Sequence, residues 1–350
     1  MSGHTAVPFV RAAGDPYTVG RTHGAALATT LRAFLGDSLA RLNKVLPEPV
    51  TLDGLRPTIA AHRAEITAAL PGVAEEVAGL AAGAGITEDE AWLLQLRREI
   101  MGYRKVPTAG DCTTWALAGS DPAGPALAQT VDLNGDLDDV ISVLEVSPAH
   151  SPRRSLVLSF GGLLGYLGIN SDGLAVGLNL VLGGDWKPGV PPYLAIRHLL
   201  DTAGGVEEAL KVLAGLPLAS SRSLTLCDRE RALWIEVLDD DLRVHEAERT
   251  VHTNHFLHPD FVTADEINVF ARNSSARRLR AATDGLAGLG AGAGPEEHFA
   301  LLSRPPIRVP DRGDIRAERT VAAAVLLPAE GRLHLRPGDP ALSRTQVFTL

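Results

Sequence analysis

The chain has 350 residues, 45% of them hydrophobic, enough for one large core or two modest ones. Its 42 acidic and 33 basic side chains leave a formal net charge of −9, with no basic run to track a phosphate backbone, which argues against nucleic acid as a partner. Only two cysteines occur, Cys112 and Cys227, so a disulfide framework is not what stabilises a chain of this size.

The first residues, MSGHTAVPFVRAAGDPYTVG, lack a charged stretch followed by an apolar core, and no uninterrupted apolar run reaches about eighteen residues; the expectation is a cytoplasmic protein without a membrane partner. From Thr18 to Phe34 and from Leu55 to Leu70 apolar residues recur at three and four, which predicts helices. Pro71 opens a further helix that the glycines of GVAEEVAGLAAGAG close, and Thr87 caps EDEAWLLQLRREIMGYR. The first hundred residues thus read as helical. After Tyr103 comes KVPTAGDCTT, rich in turn formers and without amphipathic period, a candidate processing loop.

Strand-like runs come next: TTWALA, PALAQTVD, VISVLEV, RSLVLSF, YLGIN and LAVGLNLV, separated by turns at Asp121 to Gly124, Asn134 to Asp138 and Ser171 to Gly173. A helical stretch, PYLAIRHLLDTAGGVEEALKVLAGL, precedes more strands in SLTLCD, ALWIEVL, LRVHEAE and TVHTNHF. The order implies a layered α+β architecture. Asp284 to Glu297 reads as a glycine-alanine linker, with no GxGxxG or Walker pattern after a strand, and TVAAAVLLPA with GRLHLRPG reads as a closing hairpin.

Cys112 stands after a turn and before Thr113, Thr114 and a strand, so it fits either a buried small hydrophobe or a nucleophile. A nucleophile needs a base, and no histidine with a cysteine-protease signature lies nearby. If the thiol cuts the bond between Asp111 and Cys112 by an acyl shift to sulfur, the freed α-amine, with a pKa near ~8, becomes that base. His252, His255 and His258 in HTNHFLH invite a metal reading, but alternating strand faces and the following Pro259 do not converge imidazoles as an HExxH helix does; no metal is expected. Cys227 in SLTLCD reads as a buried strand thiol. The excess of arginine over lysine, 29 to 4, fits genomic base composition better than anion recognition.

The blocks YTVGRTHG, VAEEVAGLAAGAGITEDEAWLLQLRREI, GDCTTWALAG, AQTVDLN, LGINSDGLAVGLNLV, PYLAIRHLLD and TNHFLHPDF, in this order, resemble the acyl-coenzyme A:6-aminopenicillanic acid acyltransferase (isopenicillin N acyltransferase) family of N-terminal-nucleophile cysteine enzymes. The resemblance implies a four-layer αββα fold. It implies a helical pro-segment, residues 1–111, that stays associated after self-cleavage, and a catalytic region, residues 112–350. The family usually has glycine immediately before the cysteine; this chain has Asp111.

By the same resemblance Cys112 is the nucleophile and Asp132 the carboxylate beside its terminal amine, although Asp132 also reads as a turn residue before Leu133-Asn134-Gly135. Asn179 and Asn254 are the candidate oxyanion donors, against readings as a strand-end residue and an Asx-turn former. Arg316 stands in register with an active-site arginine; Arg319 is the alternative, and a solvated charge the plain reading of either. Gln129 stands where bile-salt hydrolases tend to have arginine. Implied substrates are a small amide or acyl thioester and an amine or water acceptor, in secondary metabolism; no cofactor is expected, and acyl-coenzyme A enters only as a substrate. An assembly of identical copies and an uncleaved, non-catalytic binding protein of the same fold stay open.

Overall fold

The computed structural model describes residues 6–105 and 112–350. The apolar period of the first hundred residues becomes helices α1 (Pro16–Gly36), the short α2 (Leu42–Val45), α3 (Leu52–Ala69), α4 (Pro71–Ala84) and α5 (Glu88–Lys105). Their starts are built as the residue types dictate. The Asp15 carboxylate accepts from the Thr18 amide at 2.7 Å, and Thr51 Oγ1 from the Gly54 amide at 3.1 Å. Thr87 and Glu90 cap α5 reciprocally, the Glu90 carboxylate accepting from the Thr87 amide at 2.8 Å and Thr87 Oγ1 from the Glu90 amide at 3.3 Å.

α1 and α4 cross at backbone contact. A Cβ on Gly20 or Gly24 would sit 1.9 Å from Glu76 O or 2.2 Å from Leu80 O, and one on Gly79 or Gly83 would sit 2.1 Å from Tyr17 O or Arg21 O. Only hydrogen fits on both sides of that seam. The helices before Cys112 are also tied to the chain beyond it: Arg197 Nη1 donates to Glu76 Oε1 at 2.7 Å and its Nε to Asp201 Oδ2 at 2.9 Å, a buried pair joining α4 to α6 (Pro192–Thr202).

The segment expected to be mostly helical also supplies a strand, β1 (Phe9–Gly14), which pairs in parallel with β4 (Ile141–Pro148). It extends a sheet in the order β1, β4, β5 (Ser155–Phe160), β6 (Leu167–Asn170), β7 (Ala175–Leu180), β8 (Arg222–Cys227), β9 (Ala232–Leu238), β10 (Asp241–Glu246). The second sheet runs β11 (Arg249–His252), β2 (Thr113–Leu117), β3 (Ala126–Leu133), β12 (Arg319–Leu327), β13 (Arg332–Pro337), β14 (Gln346–Thr349). Strand alternation sends Ala116, Leu127 and Val131 into the main core between the sheets, whereas Trp115, Leu117 and Ala128 face outward onto Ala282, Leu286, Phe299 and Leu302. Those last four belong to α8 (Val269–Ala287) and α9 (Pro295–Leu302), which cover the second sheet; α6 packs on the first, followed by α7 (Val206–Ala214). The layers are therefore α, β, β, α.

Two segments differ from their sequence reading. The expected linker from Asp284 to Glu297 is helical at both ends, because Ala282 and Leu286 continue the buried stripe of α8 and Pro295 starts α9. The long helical stretch from Pro192 divides at Ala203, whose backbone is extended (φ −105, ψ 130). Asn170, the last residue of β6, donates to Leu200 O at 3.0 Å and Ala203 O at 2.7 Å and so completes that helix end.

Gly79→Ala should destabilise the fold by roughly 2–4 kcal/mol in urea denaturation, since α1 and α4 must separate, while Gly36→Ala, with nothing within 4 Å of its Cβ, should stay within about 0.5 kcal/mol. The buried His298 Nδ1 accepts from Trp115 Nε1 at 3.0 Å, and burial holds its pKa down to about 4. Its folded pKa lies below the unfolded value near ~6.5, so its stabilisation is complete above that pH and falls as pH drops from about 6.5 to 4, by up to ~1.4 kcal/mol per pH unit. Urea midpoints at pH 7 and pH 5 should show a smaller difference in His298→Gln than in the parent.

Candidate active site around Cys112

Cys112 lies at the threshold of β2, 1% exposed, with a left-handed backbone (φ 44) that a non-glycine residue seldom adopts. Its carbonyl oxygen accepts from Asn179 Nδ2 at 3.1 Å and from Arg278 Nη1 at 2.6 Å. The thiol sulfur stands 3.6 Å from Tyr166 Oη, whose ring stacks on Tyr193 with centroids 5.3 Å apart. Tyr166 and Tyr193 line a mostly apolar chamber with Phe34, Leu94, Met101 and Leu163.

β3 brings the expected carboxylate under this point. The Thr113 amide donates to Thr130 Oγ1 at 3.0 Å, Thr130 Oγ1 lies 3.4 Å from Asp132 Oδ2, and Thr320 Oγ1 donates to Asp132 Oδ1 at 2.6 Å. Asp132 is fully buried, so it is a held group in the sheet and not a solvated turn residue. Asn254 joins from the other side. Its Oδ1 accepts from Arg278 Nη2 at 2.7 Å, its Nδ2 donates to Leu180 O at 3.0 Å, and its backbone amide donates to Ser275 Oγ at 2.7 Å.

The histidines of HTNHFLH support this corner. His252 Nε2 lies 2.8 Å from Glu236 Oε1 and its Nδ1 2.8 Å from Thr253 O; Glu236 also accepts from the amides of Leu257 at 2.5 Å and His258 at 3.1 Å, which pins the turn carrying Asn254. His255 Nδ1 lies 2.7 Å from Ser275 Oγ, and burial, reinforced by His252 and nearby arginines, lowers its pKa to about 4. Cys227 is a different kind of thiol: fully buried, donating to Leu117 O at 3.3 Å, with burial and then the Asp228 charge pushing its pKa far up.

Residues 120–341 match the family model described as acyl-coenzyme A:6-aminopenicillanic acid acyl-transferase. The chain belongs to that family. Among solved structures, penicillin V acylase from Agrobacterium tumefaciens is similar at 17% identity and TM-score 0.49, over 68% of this chain and 86% of the other. An N-acylethanolamine-hydrolyzing acid amidase ortholog from Caenorhabditis elegans is similar at 15% identity and TM-score 0.45, over 68% and 99%. No curated protein matches the chain by sequence.

The segment matched to the acyl-transferase family contains Asp132, Asn179, Asn254 and Arg278 and begins beyond Cys112. Asp111, the other half of the expected cleavage junction, lies outside the described residues. Arg316 is not brought to the cluster: it sits on an exposed turn and pairs with Asp314 two residues back, Nε to Oδ1 at 3.1 Å. A side chain so close to its partner in sequence satisfies itself locally. Arg319 is no substitute, since it ties the turn after β3 through Asp136 at 3.0 Å and Asp138 at 2.6 Å.

The arginine that does reach Cys112 is Arg278, which also donates from Nη1 to Thr113 Oγ1 at 3.1 Å. Its signal lay in the period of α8, where Ala271, Ser275, Arg278, Ala282 and Leu286 form the buried stripe and an arginine interrupts small residues. Gln129, a neutral residue in the sheet, joins β3 to β7: Nε2 donates to Leu178 O at 2.9 Å and Oε1 accepts from the Leu178 amide at 3.0 Å, so its amide links the two sheets.

Arg278→Met should lower the urea midpoint by an amount equivalent to roughly 2–4 kcal/mol, because Asn254 Oδ1 loses a buried donor and Cys112 O one of two. Arg316→Ala should stay within about 0.5 kcal/mol of the parent, as an exposed ion pair contributes little.

Proposed function

We propose that the chain is a self-processing acyltransferase whose nucleophile is the Cys112 thiol, exposed as a new N-terminus by cleavage after Asp111. The observation that carries this reading is the setting of Cys112: carbonyl clamped by Asn179 and Arg278, backbone left-handed, sulfur facing Tyr166 at the edge of an apolar chamber. A non-glycine residue held at such a φ stores on the order of 1 kcal/mol or more, which cleavage of the preceding bond releases.

In processing, Sγ attacks the carbonyl carbon of Asp111; the C–N bond breaks, the departing nitrogen takes the thiol proton, and a thioester remains until water divides it into the Asp111 carboxylate and the Cys112 thiol. In turnover, the freed α-amine takes the proton from Sγ and the thiolate attacks the acyl carbon of an amide or acyl thioester. The new C–S bond forms as the C–N or C–S bond to the leaving group breaks, and the amine returns its proton to that group. The nitrogen of an acceptor amine then attacks the acyl carbon, the C–N bond forms as the C–S bond to Cys112 breaks, and the proton leaving that nitrogen passes by way of the α-amine to Sγ; coenzyme A thioesters are one donor class.

Asp132, linked to Thr113 through Thr130, orients and charges the surroundings of the α-amine. Asn179 and Asn254 each carry a second amide N–H for the oxyanion, and Asn179 Oδ1, buried without a partner among the described residues, is an acceptor suited to the new terminal ammonium. Arg278 positions Cys112 and Asn254 from behind.

Intact mass spectrometry of the purified protein tests the proposal. The expected result is two chains, residues 1–111 and 112–350, with Cys112→Ala remaining one chain, alkylation of Cys112 abolishing activity and chelators leaving it unchanged. A wild-type chain that stays whole and remains active, or an active Cys112→Ala variant, overturns it.

A further inference from the structure

A cavity of about 260 Å³ opens where the helices before Cys112 meet the chain beyond it. Val19 of α1, Leu70 between α3 and α4, Pro71 and Val73 of α4 and Pro148 of β4 supply apolar wall, and α6 contributes Arg197, His198 and Asp201. None of these residues lines the chamber at Cys112. Glu76 completes the lining from α4. It is 4% exposed, and its Oε1 accepts from Arg197 Nη1 at 2.7 Å, while its Oε2 has no hydrogen-bond partner among the described residues. Oε2 stays open to the cavity, in contrast to Asp201 Oδ1, which is closed off by protein without a partner.

The charges around Oε2 do not balance. Arg197 serves both Glu76 and Asp201, one cation against two carboxylates. Arg153, which reaches Thr202 O at 3.2 Å, is already matched by Asp172 at 2.6 Å and Glu208 at 3.6 Å. Burial lowers the pKa of His198, and burial with the Arg197 charge lowers that of His23 to about 3, so both imidazoles are neutral at pH 7. Burial raises the Glu76 pKa against the pull of Arg197, and the Asp201 charge adds to the rise. One more cation at Oε2 offsets both effects.

A carboxylate oxygen on a buried side chain, short of one positive charge and set among valine, leucine and proline, selects a ligand with an N–H cation at one end and a few carbons at the other. We propose that this cavity binds a short primary alkylammonium, its ammonium donating to Glu76 Oε2 and its chain lying against the apolar wall. A guest there touches α4 and α6 at once, and so ties the helices before Cys112 to the chain beyond it by the free energy of its binding. The site is separate from Cys112 and stands whether or not the bond after Asp111 is cut.

Calorimetric titration of the full protein with n-butylammonium chloride, butan-1-ol and sodium butyrate at constant ionic strength is the test. Butylammonium should bind saturably at one site, roughly tenfold or more tighter than the alcohol or the carboxylate, which share its carbon chain but not its charge. Glu76→Gln, which keeps the shape and removes the charge, should weaken butylammonium by roughly tenfold or more. Ala69→Phe, at a partly exposed residue of the lining, should block the cavity while leaving the Glu76 to Arg197 pair in place. Urea midpoints establish that each variant is folded; if Glu76→Gln is not, Ala69→Phe and the comparison of ligands on the parent decide. No saturable binding of butylammonium, equally tight binding of butanol or butyrate, or binding unchanged in folded Ala69→Phe overturns the site. Binding unchanged in folded Glu76→Gln overturns Glu76 as the acceptor, and the proposal with it.

Discussion

Arg278 projects from α8 through the outer face of the second sheet and places Nη1 on the Cys112 carbonyl and the Thr113 hydroxyl, and Nη2 on the Asn254 amide oxygen. The guanidinium is 0% exposed, so removing an acceptor from Nη1 or Nη2 is costly and these partners cannot shift independently. That one constraint fixes the start of β2 relative to the turn after β11. Asn179, reaching the same carbonyl from β7, ties both to the first sheet. The left-handed Cys112 backbone is thus held at its carbonyl from two elements, α8 through Arg278 and β7 through Asn179.

The chamber at the sulfur is made from both sides of the proposed cut. Phe34, Leu94, Arg97 and Met101 come from α1 and α5, while Phe160, Leu163, Tyr166 and Tyr193 come from the sheet and its covering helix. β1 belongs to the first sheet through β4, and Arg197 joins α6 to Glu76 of α4. The segment before Cys112 is accordingly a wall of the site and an edge of the sheet, and its loss would expose the chamber to water.

Most of the architecture was readable in the sequence because the periods were strong: the helices before Cys112 carry apolar residues at three and four, and the strands after it are short and bounded by turns. β1 was not readable. FVRAAG is six residues long and is held by a parallel partner far along the chain, a pairing that no local pattern announces. The candidate site was read mainly through resemblance. Asp132, Asn179 and Asn254 gather around Cys112, but the arginine that the resemblance pointed to was Arg316, which pairs with Asp314 in solvent. In a chain this rich in arginine, composition cannot mark the buried one; the small-residue stripe of α8 around Arg278 does.

The most direct test of Cys112 as the acyl carrier is peptide mapping of the protein after brief exposure to an acyl thioester and acid quench. The acyl group is expected on the peptide that begins at Cys112, with Cys227 unmodified. Acylation at Cys227, or turnover with no acyl group passing through Cys112, would contradict that role.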